Sequence, residues 1–149
     1  MEKLNKFNNE FQSCSNVIEE AYEFMLAYAA QGRTKENSDT TPNIRSLMTA
    51  ASSAANQIGS GLGMLEAELD QILDESASGF FEITRADAIK AKKLLNLALS
   101  CENITSQLID NLNASIHLRT LLTDLFVFDE YLTAQLLSSS GNPSTKSNC

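Results

Sequence analysis

The sequence predicts an all-α protein, an antiparallel helical bundle of about four long amphipathic helices that dimerisation could complete. Three observations carry this. Apolar residues recur at alternating intervals of three and four along most of the chain, the spacing of one helix face. Only 6 Gly and 2 Pro occur in 149 residues, too few for the many tight turns of a β-sandwich or barrel. Ala, Leu, Glu, Gln and Lys, all good helix formers, dominate the periodic stretches. Residues 1–137 are long enough to bury one core without metal or disulfides, and the Ser-rich 138–149 reads as a disordered tail.

The first helix is carried by Leu4, Phe7, Phe11, Cys14, Ile18, Ala21, Met25 and Tyr28, a seam close to heptad spacing. Gly32 suits its C-terminal cap, and residues 32–41 read as a polar linker. Thr41-Pro42 resembles a helix start. From there Ile44, Met48, Ala51, Ala55, Ile58, Leu62, Leu65, Leu69 and Ile72 predict a second helix over about residues 42–76. Within it Ala55, Gly59 and Gly63 form a row of small residues that lets another backbone approach. A kink or break at Gly59 to Gly63 is the alternative.

Phe80-Phe81 should fold back onto the core, with Thr84 and Asp87 as a capping box opening the third helix. From Phe80 to Ser140 there is neither Gly nor Pro. The expected break is Asn111 to Ser115, where Asn and Ser compete with the helical backbone for hydrogen bonds; Ser100 to Asn103 is its rival. Helix three then carries Ala91, Leu94, Ala98, Cys101, Leu108 and Leu112, and helix four Leu118, Leu121, Leu125, Phe128 and Leu132.

Acids (Glu66, Glu68, Asp70, Asp74, Glu75) crowd the expected end of helix two, and bases (Arg85, Lys90, Lys92, Lys93) the start of helix three. Both placements oppose the helix dipole. An antiparallel hairpin would set them side by side, or either patch could face a partner of opposite charge.

A net charge of −8 argues against nucleic acid or an anionic membrane as partner, because phosphate binding needs clustered Lys and Arg. No stretch of about 18 apolar residues suggests a membrane span, and Met1 to Lys6 open no apolar signal core. Three unpaired cysteines, Cys14, Cys101 and Cys149, fit the same cytoplasmic expectation.

Chemical motifs are sparse. The single His117 lacks the Glu-x-x-His partner of a di-metal bundle, and the Cys and His residues have no zinc spacing. Gly59-Ser60-Gly61-Leu62-Gly63 is GxGxG, with neither a preceding strand nor the Lys-Ser/Thr of a phosphate loop. Ile116 to Thr123 is similar to the H-box of sensor histidine kinases, through Leu118-Arg119-Thr120 and Leu122-Thr123. That alignment puts Ile116 at the phosphoacceptor position, His117 at the Glu and Leu121 at the Pro, so chance explains the match better than kinship.

The sequence is read as a non-enzymatic, cofactor-free, self-associating interaction module: an adaptor, small regulatory subunit or chaperone-like binder. Its protein partner is not named by the sequence. Candidate interaction residues are Ala55, Gly59, Gly63, Arg85, Lys90, Lys92, Lys93, His117 and Arg119. The alternatives are a phosphotransfer bundle using His117 or a bundle that binds a small ligand.

Overall fold

A computed structural model describes residues 2–37 and 39–140. These residues form six α-helices and no strand: α1 (Glu2–Ala29), α2 (Ile44–Gly59), α3 (Glu66–Ile72), α4 (Glu75–Leu99), α5 (Ser106–Asn113) and α6 (Ile116–Ser140). The helices pack as a ring. α1 adjoins α2, α2 adjoins α4, α4 adjoins α6, and α5 with α6 closes back on α1.

Long-range contacts give the directions. Cys14 of α1 donates to Gln57 near the end of α2, and Arg45 at the start of α2 reaches Leu99 at the end of α4. Asn113 meets Met25 late in α1, whereas Phe128 packs on Phe7 and Phe11 early in it. Neighbouring walls are therefore antiparallel. α5 and α6 both run against α1, so the two residues between them, Ala114 and Ser115, continue one wall of the bundle.

Six helices replace the expected four because the second and third predicted segments each end early. The α2 register runs into Gly61, Leu62 and Gly63, all at positive φ. Two glycines accept that conformation readily and terminate the helix. What was expected as one helix over 42–76 is thus α2, a turn and the short α3. The start also shifts: Asn43, not Thr41, is the N-cap, its side chain accepting from the Ser46 N–H. After Phe80 both candidate breaks occur. α4 stops at Leu99, Thr105 caps α5 by accepting from the Leu108 N–H, and α5 stops at Asn113.

α4 starts at Glu75, nine residues before the expected capping box. Asp74 is its N-cap, accepting from the Ala77 N–H at 2.8 Å. Asp74 and Glu75 thereby lie at the positive end of a helix dipole and favour it, which corrects the expectation that these acids oppose it. Thr84 is a buried mid-helix residue whose hydroxyl donates to the Phe80 carbonyl.

Residues 33–36 of the expected linker are tied to the rest of the chain. The Ser106 N–H donates to the Arg33 carbonyl, the Arg33 N–H to Ser106 Oγ, and the Glu36 N–H to Asn103 Oδ1. Arg45 anchors this corner. Its guanidinium forms a fork on Glu36 (2.7 and 3.0 Å) and donates to the carbonyls of Leu99 and Cys101 at the C-terminus of α4 (2.8 and 2.9 Å). The Arg45 hydrogen bond, above all, holds the Glu36 carboxyl below its usual range. Arg45→Met should cost about 1–2 kcal/mol in urea unfolding, since charge-assisted bonds are lost from a partly exposed group. A variant within about 0.3 kcal/mol of the parent would contradict the clamp.

The core is aromatic at one end. Phe128 of α6 sits amid Phe7, Phe11, Phe80, Phe81 and Tyr131, with ring centroids 5.2–6.1 Å apart. The predicted α1 stripe from Phe7 to Tyr28 is buried, and Leu4 packs against it from the rim. Residues 138–140 continue α6, while the rest of the expected tail, 141–149 with Cys149, lies outside the described residues.

Candidate functional site

Two members of the small-residue row turn inward. Ala55 is fully buried. Gly59, the last residue of α2, faces α4 so closely that a Cβ there would come within 2.8 Å of Ile89 Cγ1. Gly63 lies in the following turn at φ 74°, with open space around it. Gly59 thus serves the α2–α4 contact within the chain, and Ala55 lies in the core.

The basic residues divide. Arg85 donates to the Gly59 carbonyl and pairs with Glu66 (2.8 Å) and Glu82 (2.9 Å), so it closes the end of α2 and joins one of the acids expected beside it. Lys92 reaches Asn56 of α2 at 3.1 Å. Lys90 and Lys93 are exposed on α4.

His117 and Arg119 are both exposed in the first turn of α6. The His117 backbone N–H is held by Ser115 Oγ at 3.2 Å. Beside them a surface depression of about 470 Å³ is lined by Ala114, Ile116, Arg119, Thr120, Thr123 and Asp124.

Asp124 is the feature that sequence reading missed. It is only 7% exposed on the inner edge of α6, and its carboxyl shares a hydrogen bond with Asp87 of α4. Its Oδ2 has no hydrogen-bond partner. Burial first, then the hydrogen bond and charge of Asp87, push the Asp124 pKa up to about 7. Two carboxyls this close hold a proton between them near neutrality. The signal was available: Asp124 falls three residues after Leu121 and four before Phe128, on the stripe that the apolar spacing assigns to the core.

A smaller polar seam joins α1 to α6, where Gln12 Nε2 donates to Asp129 Oδ1 at 3.0 Å. Nearby Glu19 is raised, chiefly by burial and then by Asp129 and Glu23. Among the described residues no three His, Cys, Asp or Glu side chains converge as a metal site would need, and no helix is long and apolar enough to cross a membrane.

Large apolar side chains stand in the open on both α6 and α4. Ile116 is 72% exposed, and Phe126 and Val127 are each 53% exposed on α6. Ile83 and Leu97 of α4 are likewise exposed. No protein family, curated protein or solved structure matches this chain.

Proposed function

We propose that this protein is a non-catalytic helical interaction module whose binding surface is the outer face of α6 and the neighbouring rim of α4. One observation carries the reading. Ile116, Phe126 and Val127 stand exposed on a helix whose opposite face is well buried. Exposed apolar side chains, with Ile116 lining a depression that also holds polar groups, have the make-up of an interface centre. The core needs none of the three, so their burial is left for another protein. The chain's charge of −8 would speed approach of a basic partner more than strengthen its grip.

The test is quantitative affinity capture from the native host, comparing the parent chain with an Ile116→Asp, Val127→Asp double variant that keeps its circular dichroism. Specific partners should fall by ~10-fold or more, because charges in the centre of an interface remove its anchors. Equal capture by both proteins would reject this surface.

A further inference from the structure

The outward face of α4 carries a helix seam that nothing in the described chain covers. Gly79, Ile83, Ala86, Lys90, Lys93 and Leu97 are all exposed, and their successive spacings of 4, 3, 4, 3 and 4 residues are those of the a and d positions of a coiled coil. The other sides of α4 are taken. Ile89, Lys92 and Asn96 lie against α2, Phe81 and Asp87 against α6, and Ala88, Ala91 and Leu95 are buried between them. The seam looks away from all three. Its lysines make no ion pair among the described residues.

We propose that a second copy of this chain docks on this seam, α4 against α4, antiparallel about a two-fold axis at the level of Ala88. Gly79 and Leu97, Ile83 and Lys93, and Ala86 and Lys90 lie at equal distances on either side of that residue. Each small or apolar residue therefore meets a long side chain of the second copy, and each contact occurs twice, as an isologous interface requires.

Shape and charge both support that pairing. Gly79 and Leu97 stand about five full turns apart, on one line of the helix. Leu97, 69% exposed, thus points at Gly79 of the second copy, where a Cβ would meet nothing within 4 Å. The charges fall on matching flanks, because this two-fold axis sets each flank of α4 against the same flank of the other copy. At about 100° per residue, Glu82 and Lys93 lie on the α2 side of the seam, and Asp87 and Lys90 on the α6 side. Glu82 comes level with Lys93 of the second copy to within one residue, and Asp87 with Lys90 likewise. Glu82 meets Arg85 through one oxygen, yet its side chain is 58% exposed and open to a second cation. The lysine stems can cover Ala86 and Ile83 while their ammonium groups stay at the rim. A parallel pairing would instead set Lys90 on Lys90 and Lys93 on Lys93, so the lysines select the antiparallel register. The net charge of −8 repels at long range, but salt screens it beyond roughly 8 Å.

The seam uses no residue of α6, so self-pairing and partner capture on α6 can fail separately. Sedimentation velocity of the full chain between about 5 and 200 µM, a range bracketing micromolar association, should show dimer. Lys93→Glu, which sets a carboxylate against Glu82 of the second copy, should weaken the dimer ~10-fold or more without changing circular dichroism. Adding Glu82→Lys to that variant reverses both partners and should recover most of the loss, with helicity intact. Register is read by disulfide formation in a Cys101→Ser, Cys149→Ser background that keeps the buried Cys14. Gly79→Cys mixed with Leu97→Cys should cross-link. Either alone should not, because like positions lie about 27 Å apart along the axes at 1.5 Å per residue. A monomer throughout the range overturns the self-pairing, even if partner capture succeeds. So does a dimer indifferent to Lys93→Glu, a helical double variant as weak as the single one, or cross-linking of like with like.

Discussion

Replacing Phe128 with alanine should lower the unfolding free energy by about 3–5 kcal/mol, the usual cost of emptying a large buried aromatic site. That is a large share of the roughly 5–15 kcal/mol that holds a domain together. The ring is 1% exposed and touches aromatic residues from three helices: Phe7 and Phe11 of α1, Phe80 and Phe81 of α4, and Tyr131 of its own α6. Its edge-to-face contacts with Phe7 and Phe11 (interplanar angles 83° and 70°) and its near-parallel stacking on Phe81 (19°) add geometry-dependent attraction to area burial. No single neighbour can fill the space, because the five are fixed on three different helices. Phe126→Ala, two residues away and pointing outward, should change stability by no more than about 0.5 kcal/mol. Urea denaturation of both variants checks the contrast, and comparable losses would mean that the buried face of α6 is misplaced.

How much of this was legible follows from which signals are local. The α1 stripe needed only periodicity, and Phe7 to Tyr28 are buried as spaced. The end of α2 was harder, since Leu62, Leu65 and Leu69 continue the three-and-four pattern across the Gly61–Gly63 turn. There backbone freedom at two glycines outweighs side-chain pattern, and α3 recovers the register with Leu69 buried. The tie between residues 33–36 and residues 103–106 lay beyond sequence pattern. It joins segments about 70 residues apart through backbone groups and short polar side chains, which carry no periodicity. Arg45 likewise looks like an ordinary surface base in sequence, and only the meeting of α2 with the end of α4 gives it two carbonyls and a carboxylate.

The candidate site divides the same way. Stripe arithmetic placed Ala55 and Gly59 on a close-packed face, but it could not say whether the approaching backbone was the chain's own. Ile89 and the Arg85 carbonyl answer that for Gly59. The hairpin expected from charge blocks is realised through the Arg85–Glu66 pair, while Asp74 and Glu75 serve the start of α4. Asp124 was overlooked because an acid beside Leu125 in an acidic chain reads as solvated unless the stripe is followed residue by residue. Its neighbour Asp87 was assigned to a cap, and the pairing of the two exists only once α4 and α6 are side by side.

That pairing should make the bundle less stable in mild alkali than in mild acid. In the folded chain Asp124 keeps its proton up to about pH 7, against an ordinary value of 3.8. The unfolded chain therefore gives up this proton first. The pair's contribution is full below about pH 4, declines as pH rises, and is gone once pH has passed through the folded value near 7. Each pH unit in that window is worth up to about 1.4 kcal/mol. From pH 5 to 8 the loss is on the order of 2 kcal/mol, or roughly 4–8 °C in Tm for a chain of this size. Glu19, also raised by burial, slopes in the same direction, so the decisive comparison is with a variant and not with pH alone. Asp124→Asn keeps the shape and offers Asp87 a permanent N–H donor in place of the shared proton. The variant should melt several degrees above the parent at pH 8, and its Tm should fall less between pH 5 and 8. Parallel Tm–pH curves for the two proteins would show that Asp87 and Asp124 share no proton across the α4–α6 seam. A flattened curve with intact helicity would place the proton there and make this seam the pH-sensitive element of the bundle.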